Sequence, residues 1–122
     1  MKFLFVDDDM DRHFLIDKSI GRYHKVIHTF TAKECVKIIS KLNEPIDVAL
    51  LDFDLGKSKI SGLQLIQYLY QYVPPVKWFK KIICHTHNFN NGLQLVSRAS
   101  SYGMPATYYA FSSSLLNSFP HN

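Results

Sequence analysis

The chain has 122 residues, with 47% hydrophobic residues, 20% charged residues and a formal net charge of +4. This length suits one ordinary hydrophobic core, and this composition excludes a disordered chain. No apolar run approaches the roughly 20 residues of a membrane helix, and Asp7 interrupts the first apolar run too early for a signal peptide. We therefore predict a single cytoplasmic domain over residues 1–122, whose two cysteines are buried and reduced.

Short apolar runs alternate with segments of helical periodicity, which is typical of βαβ units that build a parallel sheet. We predict five strands, at residues 3–6, 26–30, 48–51, 82–84 and 107–111. The third run is apolar throughout, as expected of a strand that helices cover on both faces. Because crossovers between parallel strands are right-handed, we predict an α/β fold with a single doubly wound, five-stranded parallel sheet.

Helices are predicted between these strands from capping residues at their starts and from glycine or proline near their ends. We expect a first helix over 12–21 with Asp11 as its N-cap, and a fourth over 91–102 that ends at Gly103. The tail, 112–122, leaves room for only a stunted final helix. Capping boxes open the second and third helices, and these pairs are Thr31 with Glu34 and Ser61 with Gln64.

Three of the predicted strands run directly into residues that suit metal or phosphate binding. These segments are Asp7-Asp8-Asp9 after the first strand, Asp52-Phe53-Asp54-Leu55-Gly56 after the third, and His85-Thr86-His87-Asn88 after the fourth. In an open parallel sheet, the ligand site lies outside the carboxyl ends of the strands. If these three strands are neighbours, their polar ends meet in one crevice, which predicts a protein that handles phosphate with a divalent metal.

The aspartates are candidate ligands of Mg²⁺ or Mn²⁺, because both ions suit hard oxygen ligands. Clustered carboxylates are also unfavourable without a cation. Consecutive side chains alternate in direction at a strand end, so one aspartate reaches the crevice while the next faces its rim. We predict metal binding by Asp8 and Asp52 together with Asp7, and we expect Asp9 to be a helix cap or a surface residue.

Asp52, which directly follows the third strand, is the strongest catalytic candidate. It could be a metal ligand, a phosphoryl acceptor or a general base. Asp54 is a second candidate if the backbone stays extended, or a turn residue before Gly56. His85 could protonate a leaving alkoxide or activate water, since the pKa of histidine lies near working pH, and it could also be a metal ligand that favours Mn²⁺.

Other polar residues near the crevice have open roles. His87 is either functional or structural, and Asn88 either orients a phosphate oxygen or caps the following helix. The remaining histidines are scattered along the chain, and we expect them at the surface. They are His13, His24, His28 and His121.

The chain resembles the receiver domain of two-component response regulators over nearly its full length. An acidic cluster follows the first strand, an aspartate follows the third, and a hydroxyl residue follows the fourth. This resemblance implies a flavodoxin- or receiver-like (βα)5 fold with strand order 2-1-3-4-5. It also implies Mg²⁺ binding by Asp7 or Asp8, phosphoryl acceptance by Asp52, phosphoryl contact by Thr86, and a histidine kinase as partner. Receivers carry a lysine after the fifth strand, whereas no lysine follows Gly92 here.

The chain also resembles a narrower group, the cyclic-phosphate processing receiver-like domains, which are found in bacteria and phages. The markers of this group are an acidic run, a D-[HF]-D-L-G segment and an H-[ST]-x-N segment. All three occur here in that order, together with Arg12 and Gly62. The histidine that is usual between the two aspartates is Phe53, and the proline expected after the asparagine is Phe89.

Three functions remain open at this stage. The first is a metal-dependent phosphoesterase that acts on a cyclic phosphate of a nucleotide or an RNA end, and it is our prediction. The second is a signalling receiver that is phosphorylated on Asp52, which Thr86 favours and the missing lysine disfavours. The third is a non-catalytic module that binds an anionic nucleotide or a protein partner, which the basic remainder of the surface permits. The sequence has no strong nucleic-acid signature and no membrane segment.

Overall fold

Helices enclose one five-stranded parallel sheet in a computed structural model, which describes residues 1–55, 60–73 and 78–120. The strands are β1 Lys2–Val6, β2 Lys25–Thr29, β3 Val48–Leu51, β4 Ile82–Cys84 and β5 Ala106–Tyr108. Their order across the sheet is β2-β1-β3-β4-β5, and every pair is parallel. The doubly wound sheet and the strand order are therefore confirmed. Gly56 of the third-strand motif and His121 lie outside the described residues.

Helices connect the strands and cover both faces of the sheet. They are α1 Met10–Lys18, α2 Ala32–Ile39, α3 Gly62–Tyr72, α4 Phe89–Ser101 and α5 Ser113–Leu116. The final helix, α5, has four residues. Within the described part of the chain, no helix has both the length and the apolar character needed to cross a bilayer.

The start of α1 differs from the prediction. Asp9 is the N-cap instead of Asp11, because the Asp9 carboxylate accepts hydrogen bonds from the amides of Asp11 and Arg12. The helix therefore begins two residues before the predicted position, and it ends at Lys18. The predicted end at Gly21 falls in a separate 3-10 turn, Ile20–Arg22.

The two predicted capping boxes have different outcomes. At α3, Ser61 accepts from the Gln64 amide and Gln64 accepts from the Ser61 amide, so this box is confirmed. At α2, Thr31 accepts from the Glu34 amide at 3.1 Å, but the Glu34 carboxylate accepts from the Phe30 amide at 2.9 Å. The Glu34 side chain therefore accepts from the residue before the N-cap and not from the N-cap amide, so the capping box at α2 is only half formed.

Alternation along the strands divides the core into two clusters on opposite faces of the sheet. One cluster packs against α2, α3 and α4, and the other packs against α1 and α5. Phe5, Leu50 and Ile83 belong to the cluster on the α1 side. The residues two positions further along the same face are Asp7, Asp52 and His85. The pleat of the sheet therefore directs these polar side chains toward α1.

Two histidines that were expected at the surface are buried. His13 is 3% exposed and His24 is 8% exposed. The His13 ring stacks on Phe30 at 3.9 Å between centroids, while the His24 Nδ1 lies 3.0 Å from the amino group of Met1 and its Nε2 contacts the Pro120 carbonyl. The surface prediction is wrong for both, because each ring packs as an apolar body while its nitrogens find hydrogen-bond partners.

Gly62 lets α3 begin directly against the backbone that carries Asp52. A Cβ atom at Gly62 would lie 2.2 Å from the Asp52 carbonyl oxygen and 3.0 Å from the Phe53 Cα. The Gly62 amide donates to the Phe53 carbonyl at 2.6 Å. This close approach of two backbones requires a residue without a side chain.

We predict that Gly62→Ala lowers the free energy of unfolding by about 1–3 kcal/mol, the usual cost of overpacking. Urea denaturation measures this loss. Gly21→Ala is the matched control, because its nearest contact would be the movable Asp17 carboxylate at 3.2 Å. Equal losses in the two variants would contradict the backbone contact as the cause.

Candidate functional site

The register of the three central strands brings their polar ends to one edge of the sheet. Val6 pairs with Leu51, and Leu51 pairs with Cys84. Ladder hydrogen bonds continue past the strand ends, since the Asp52 amide donates to the Val6 carbonyl at 3.0 Å and the His85 amide donates to the Leu51 carbonyl at 2.9 Å. The residues that follow the three strands are therefore level with one another.

These strand ends form a crevice with a volume of about 360 Å³. The predicted site residues in its lining are Asp8, Asp52, Asp54, Thr86 and Asn88. Asp9 and His87 also line it, together with Arg12 and Asn91, which the sequence analysis did not select as site residues. The three polar segments thus meet as predicted from their positions in the chain.

Asp7, Asp8 and Asp52 form a candidate metal site. Each offers one carboxylate oxygen, and the three oxygens lie within 4.8 Å of one another. Asp7 is fully buried while Asp8 is exposed, as the alternation of side chains predicts. Hard oxygens with one side open to solvent fit a divalent cation that keeps water and phosphate in its coordination shell. No other such cluster of three ligands occurs within residues 1–55, 60–73 and 78–120.

Burial makes the two inner carboxylates unfavourable as anions. It raises the pKa of Asp52 to about 7, and the neighbouring charge of Asp7 acts in the same direction. Burial likewise raises the pKa of Asp7, although hydrogen bonds from the Asp9 amide and from Arg12 oppose it. A cation between these side chains would offset the desolvation and the repulsion together. The electrostatics thus agree with the metal site that the oxygen geometry suggests.

Arg12 places a positive charge inside the crevice. Its Nη1 lies 3.1 Å from the Asp7 Oδ2 and 3.5 Å from the Asp52 Oδ2, and its Nη2 contacts the His87 Nε2. Because a guanidinium group only donates, this nitrogen of His87 is the acceptor. The signal available in the sequence was an arginine in the first turn of the helix after the acidic run. A guanidinium group is well suited to bind phosphate oxygens.

His85 lies behind the crevice and not in its lining. The residue is 0% exposed, its ring stacks on Phe5 with centroids 5.1 Å apart, and its Nδ1 lies 3.6 Å from the Asp7 Oδ2. Neither ring nitrogen has a hydrogen-bond partner among the described residues. Burial lowers the pKa of His85 to about 3, and the charge of Arg12 acts in the same direction. His85 therefore contacts Asp7 but does not line the crevice.

The segment after β4 combines crevice lining with helix capping. Thr86 is 6% exposed, and its hydroxyl accepts from the Asn88 amide at 3.4 Å. The Asn88 Oδ1 accepts from the Asn91 amide at 3.0 Å, so Asn88 is the N-cap of α4. The capping role proposed for Asn88 is confirmed, and its contact with phosphate stays a prediction.

Asp54 is exposed at the crevice, and its amide lies 3.4 Å from the Asp52 Oδ1. Phe53, between these two aspartates, is partly buried against the core cluster on the other face of the sheet. The two aspartates therefore share the crevice while the intervening side chain packs in the opposite direction, which is the alternation expected of extended backbone.

A chain of hydrogen bonds supports the backbone of Asp7 from the α1 side. The His13 Nε2 lies 2.7 Å from the Asp7 carbonyl oxygen, and it must donate because a carbonyl only accepts. The His13 Nδ1 lies 2.7 Å from the His28 Nδ1, and the His28 Nε2 lies 2.6 Å from the Asp17 Oδ1. Burial lowers the pKa of His13, which disfavours the charged form of its ring. The two histidines and Asp17 thus form a connected chain of polar contacts that ends at the Asp7 backbone.

We predict that Asp8→Asn and Asp52→Asn each weaken Mn²⁺ binding at least about tenfold, since changes outside the first coordination shell already cost roughly 10- to 100-fold. Isothermal titration calorimetry measures the affinity. Asp11→Asn is the matched control, because it removes the same charge from the exposed first turn of α1. An equal loss in the control would mean that net charge alone attracts the ion.

Fold and site together define a receiver domain. A family model described as the Cyclic-phosphate processing Receiver domain matches residues 2–100. The match spans most of the chain, so the chain belongs to this family, and the resemblance stated from its three motifs is confirmed. The matched residues include every residue of the crevice. No curated protein is similar enough in sequence to match.

Several solved structures share the fold. The receiver domain of NtrX from Brucella abortus is 21% identical, with a TM-score of 0.68, and the alignment covers 93% of this chain and 90% of that one. The chemotaxis protein CheY4 from Vibrio cholerae is 14% identical, with a TM-score of 0.67 and coverage of 90% and 85%. The response regulator TrrA from Thermotoga maritima, solved with Mg²⁺-BeF, is 22% identical, with a TM-score of 0.64 and coverage of 92% and 87%. At these identities the likeness establishes the fold alone.

Proposed function

We propose that this receiver domain is a metal-dependent phosphoesterase that opens a cyclic phosphate on a nucleotide or an RNA end. The observation that carries the proposal is the combination of a three-carboxylate cation site with a guanidinium group in one crevice. Charge builds up on phosphoryl oxygens when a phosphate ester is cleaved, and preorganised positive groups stabilise that charge. Arg12 is one such group, and a cation held by the three carboxylates would be a second.

The chain supplies separate groups for the metal and for the phosphate. Asp7, Asp8 and Asp52 would hold Mg²⁺ or Mn²⁺, which would polarise the phosphoryl oxygens. Arg12 would bind the non-bridging oxygens through its planar fork of donors. Further donors for the phosphate would be the Thr86 hydroxyl and the Asn88 side-chain amide.

In the proposed reaction, water attacks phosphorus and one ester P–O bond of the ring breaks. The products are a phosphate monoester and a free hydroxyl group. Asp54, at the exposed side of the crevice, would accept the proton of the water, and the leaving oxygen would take a proton from solvent. His85 enters the proposal as a positioning residue, because it contacts Asp7 and not the crevice. A direct proton transfer by His85 stays a prediction of the sequence analysis.

We predict turnover of at least one compound in a panel of 2′,3′- and 3′,5′-cyclic nucleotides when Mn²⁺ or Mg²⁺ is present. Asp52→Asn and Arg12→Gln are expected to lower kcat/KM by about 100-fold or more, the scale of losing one group that stabilises the transition state. Chromatographic separation of monoester products measures the rate. Added EDTA should stop the reaction, and excess Mn²⁺ should restore it.

Asp11→Asn serves as the control and should retain the wild-type rate, because this exposed residue lies outside the crevice lining. The absence of turnover on every compound, with metal bound, would refute the phosphoesterase. Tight nucleotide binding without turnover would point to the binding module instead.

One arrangement favours a second candidate, a signalling receiver that a histidine kinase phosphorylates on Asp52. Asp52 follows β3 directly, and Thr86 lines the same crevice. Against this candidate, no lysine follows Gly92, and beyond β5 the Phe111 ring packs 5.3 Å from the Arg12 guanidinium carbon. The positive charge in the crevice therefore comes from α1 and not from the segment after β5.

Acetyl phosphate with Mg²⁺ separates the two candidates. A phosphoesterase is expected to show no lasting mass gain after this treatment, whereas a signalling receiver gains one phosphoryl group. Intact-mass spectrometry detects the group, and Asp52→Asn is the control because it removes the acceptor. A stable phosphoryl group on the wild type alone, together with no turnover on the nucleotide panel, would establish the signalling receiver.

A further inference from the structure

An exposed aromatic residue directly follows a residue that lines the crevice. Phe89 is the first residue of α4, and 59% of it is exposed to solvent. It follows Asn88 directly and precedes Asn91 by two residues, and both asparagines line the crevice. Because consecutive Cα atoms are about 3.8 Å apart, the Phe89 backbone lies next to that of Asn88, a proposed phosphate ligand.

The Phe89 ring is supported on one side. It packs against Tyr108 at 5.6 Å between centroids, with the rings inclined at 81°. The Tyr108 hydroxyl donates to the Thr86 carbonyl at 2.7 Å, which ties this second ring to the segment that lines the crevice. Tyr108 also packs tightly on α4, since a Cβ atom at Gly92 would lie 2.3 Å from its Cδ2. Phe89 is therefore an exposed ring that packs against a side chain held in place by a hydrogen bond and by α4.

We infer that Phe89 is a stacking platform for the base of a nucleotide whose phosphate occupies the crevice. The inference rests on the proposed function for the position of the phosphate. It deepens that function, because it names a residue outside the phosphate site that would hold the base. Every base has a π-face, so an aromatic platform attracts nucleotides without selecting one base.

Exposure alone does not mark Phe89, because single exposed apolar residues are common on protein surfaces. Phe14 has nearly the same exposure, 58%, but it lies on α1 outside the crevice lining, and the Lys18 ammonium sits 4.3 Å from its ring centroid. What distinguishes Phe89 is its place between two crevice residues and its support by Tyr108. Phe14 is for the same reason a matched control.

Calorimetric titration with two probes tests the platform. The probes are adenosine 3′-monophosphate and inorganic phosphate, each with Mg²⁺, and the proteins are wild type, Phe89→Ala, Phe89→Trp and Phe14→Ala. Phe89→Ala should weaken binding of the nucleotide at least about fivefold, the lower end of the range for losing one base–aromatic stack. Its affinity for inorganic phosphate should stay within about twofold of wild type, because stacking does not contribute there. Phe89→Trp should restore the nucleotide affinity, and Phe14→Ala should change neither.

The platform would be refuted if wild type bound the nucleotide no more tightly than phosphate. It would also be refuted if Phe89→Ala left the nucleotide affinity unchanged, or if Phe14→Ala lowered that affinity as much as Phe89→Ala does. The outcome is separate from that of the phosphoesterase. A Phe89-dependent nucleotide affinity in a protein without turnover would support the platform while refuting the enzyme. Turnover of cyclic nucleotides that is insensitive to Phe89→Ala would do the opposite.

Discussion

Two buried carboxylates, Asp7 and Asp52, lie side by side at one edge of the sheet, and the electrostatics of the site depend on them. Their positions follow from the parallel register of β1 and β3, and their burial raises the pKa of both. Arg12 offsets part of this cost from α1, and the exposed Asp8 completes a cluster of oxygens that suits a divalent cation. The buried carboxylates that are unfavourable as anions therefore make the crevice attractive to a cation, and Arg12 makes it attractive to phosphate.

The helix that follows β1 does more than cover one face of the sheet. Asp9 caps α1 and so orients its first turn, and that turn carries Arg12 into the crevice. The next residue, His13, donates to the Asp7 carbonyl and links it to His28 and Asp17. The backbone of one candidate metal ligand is thus supported by an extended network, which is how outer residues commonly tune a metal site.

Sequence reasoning predicted much of the site, because the relevant signals are local. The polar ends of the runs at 3–6, 48–51 and 82–84 could be recognised residue by residue, and parallel strands necessarily bring such ends to one edge. The local pattern did not indicate that Arg12 enters the crevice or that His85 lies behind it. The position of the Arg12 side chain depends on its packing against Phe111, and that of the His85 ring depends on its packing against Phe5. Both contacts join residues that are distant in the chain.

The sequence by itself determined the class of fold, the five strands, the family and the three segments that form the crevice, since periodicity and motifs are properties of the local chain. Only the tertiary structure decided which side chains share the space within it. It brought one carboxylate oxygen from each of Asp7, Asp8 and Asp52 within 4.8 Å of one another and placed Arg12 beside Asp7 and Asp52. It also buried His85 next to Asp7 and packed Phe89 against Tyr108. These contacts join residues far apart in the chain. The alternation of strand residues determines the face of the sheet on which a side chain lies, but not the side chains that it contacts there.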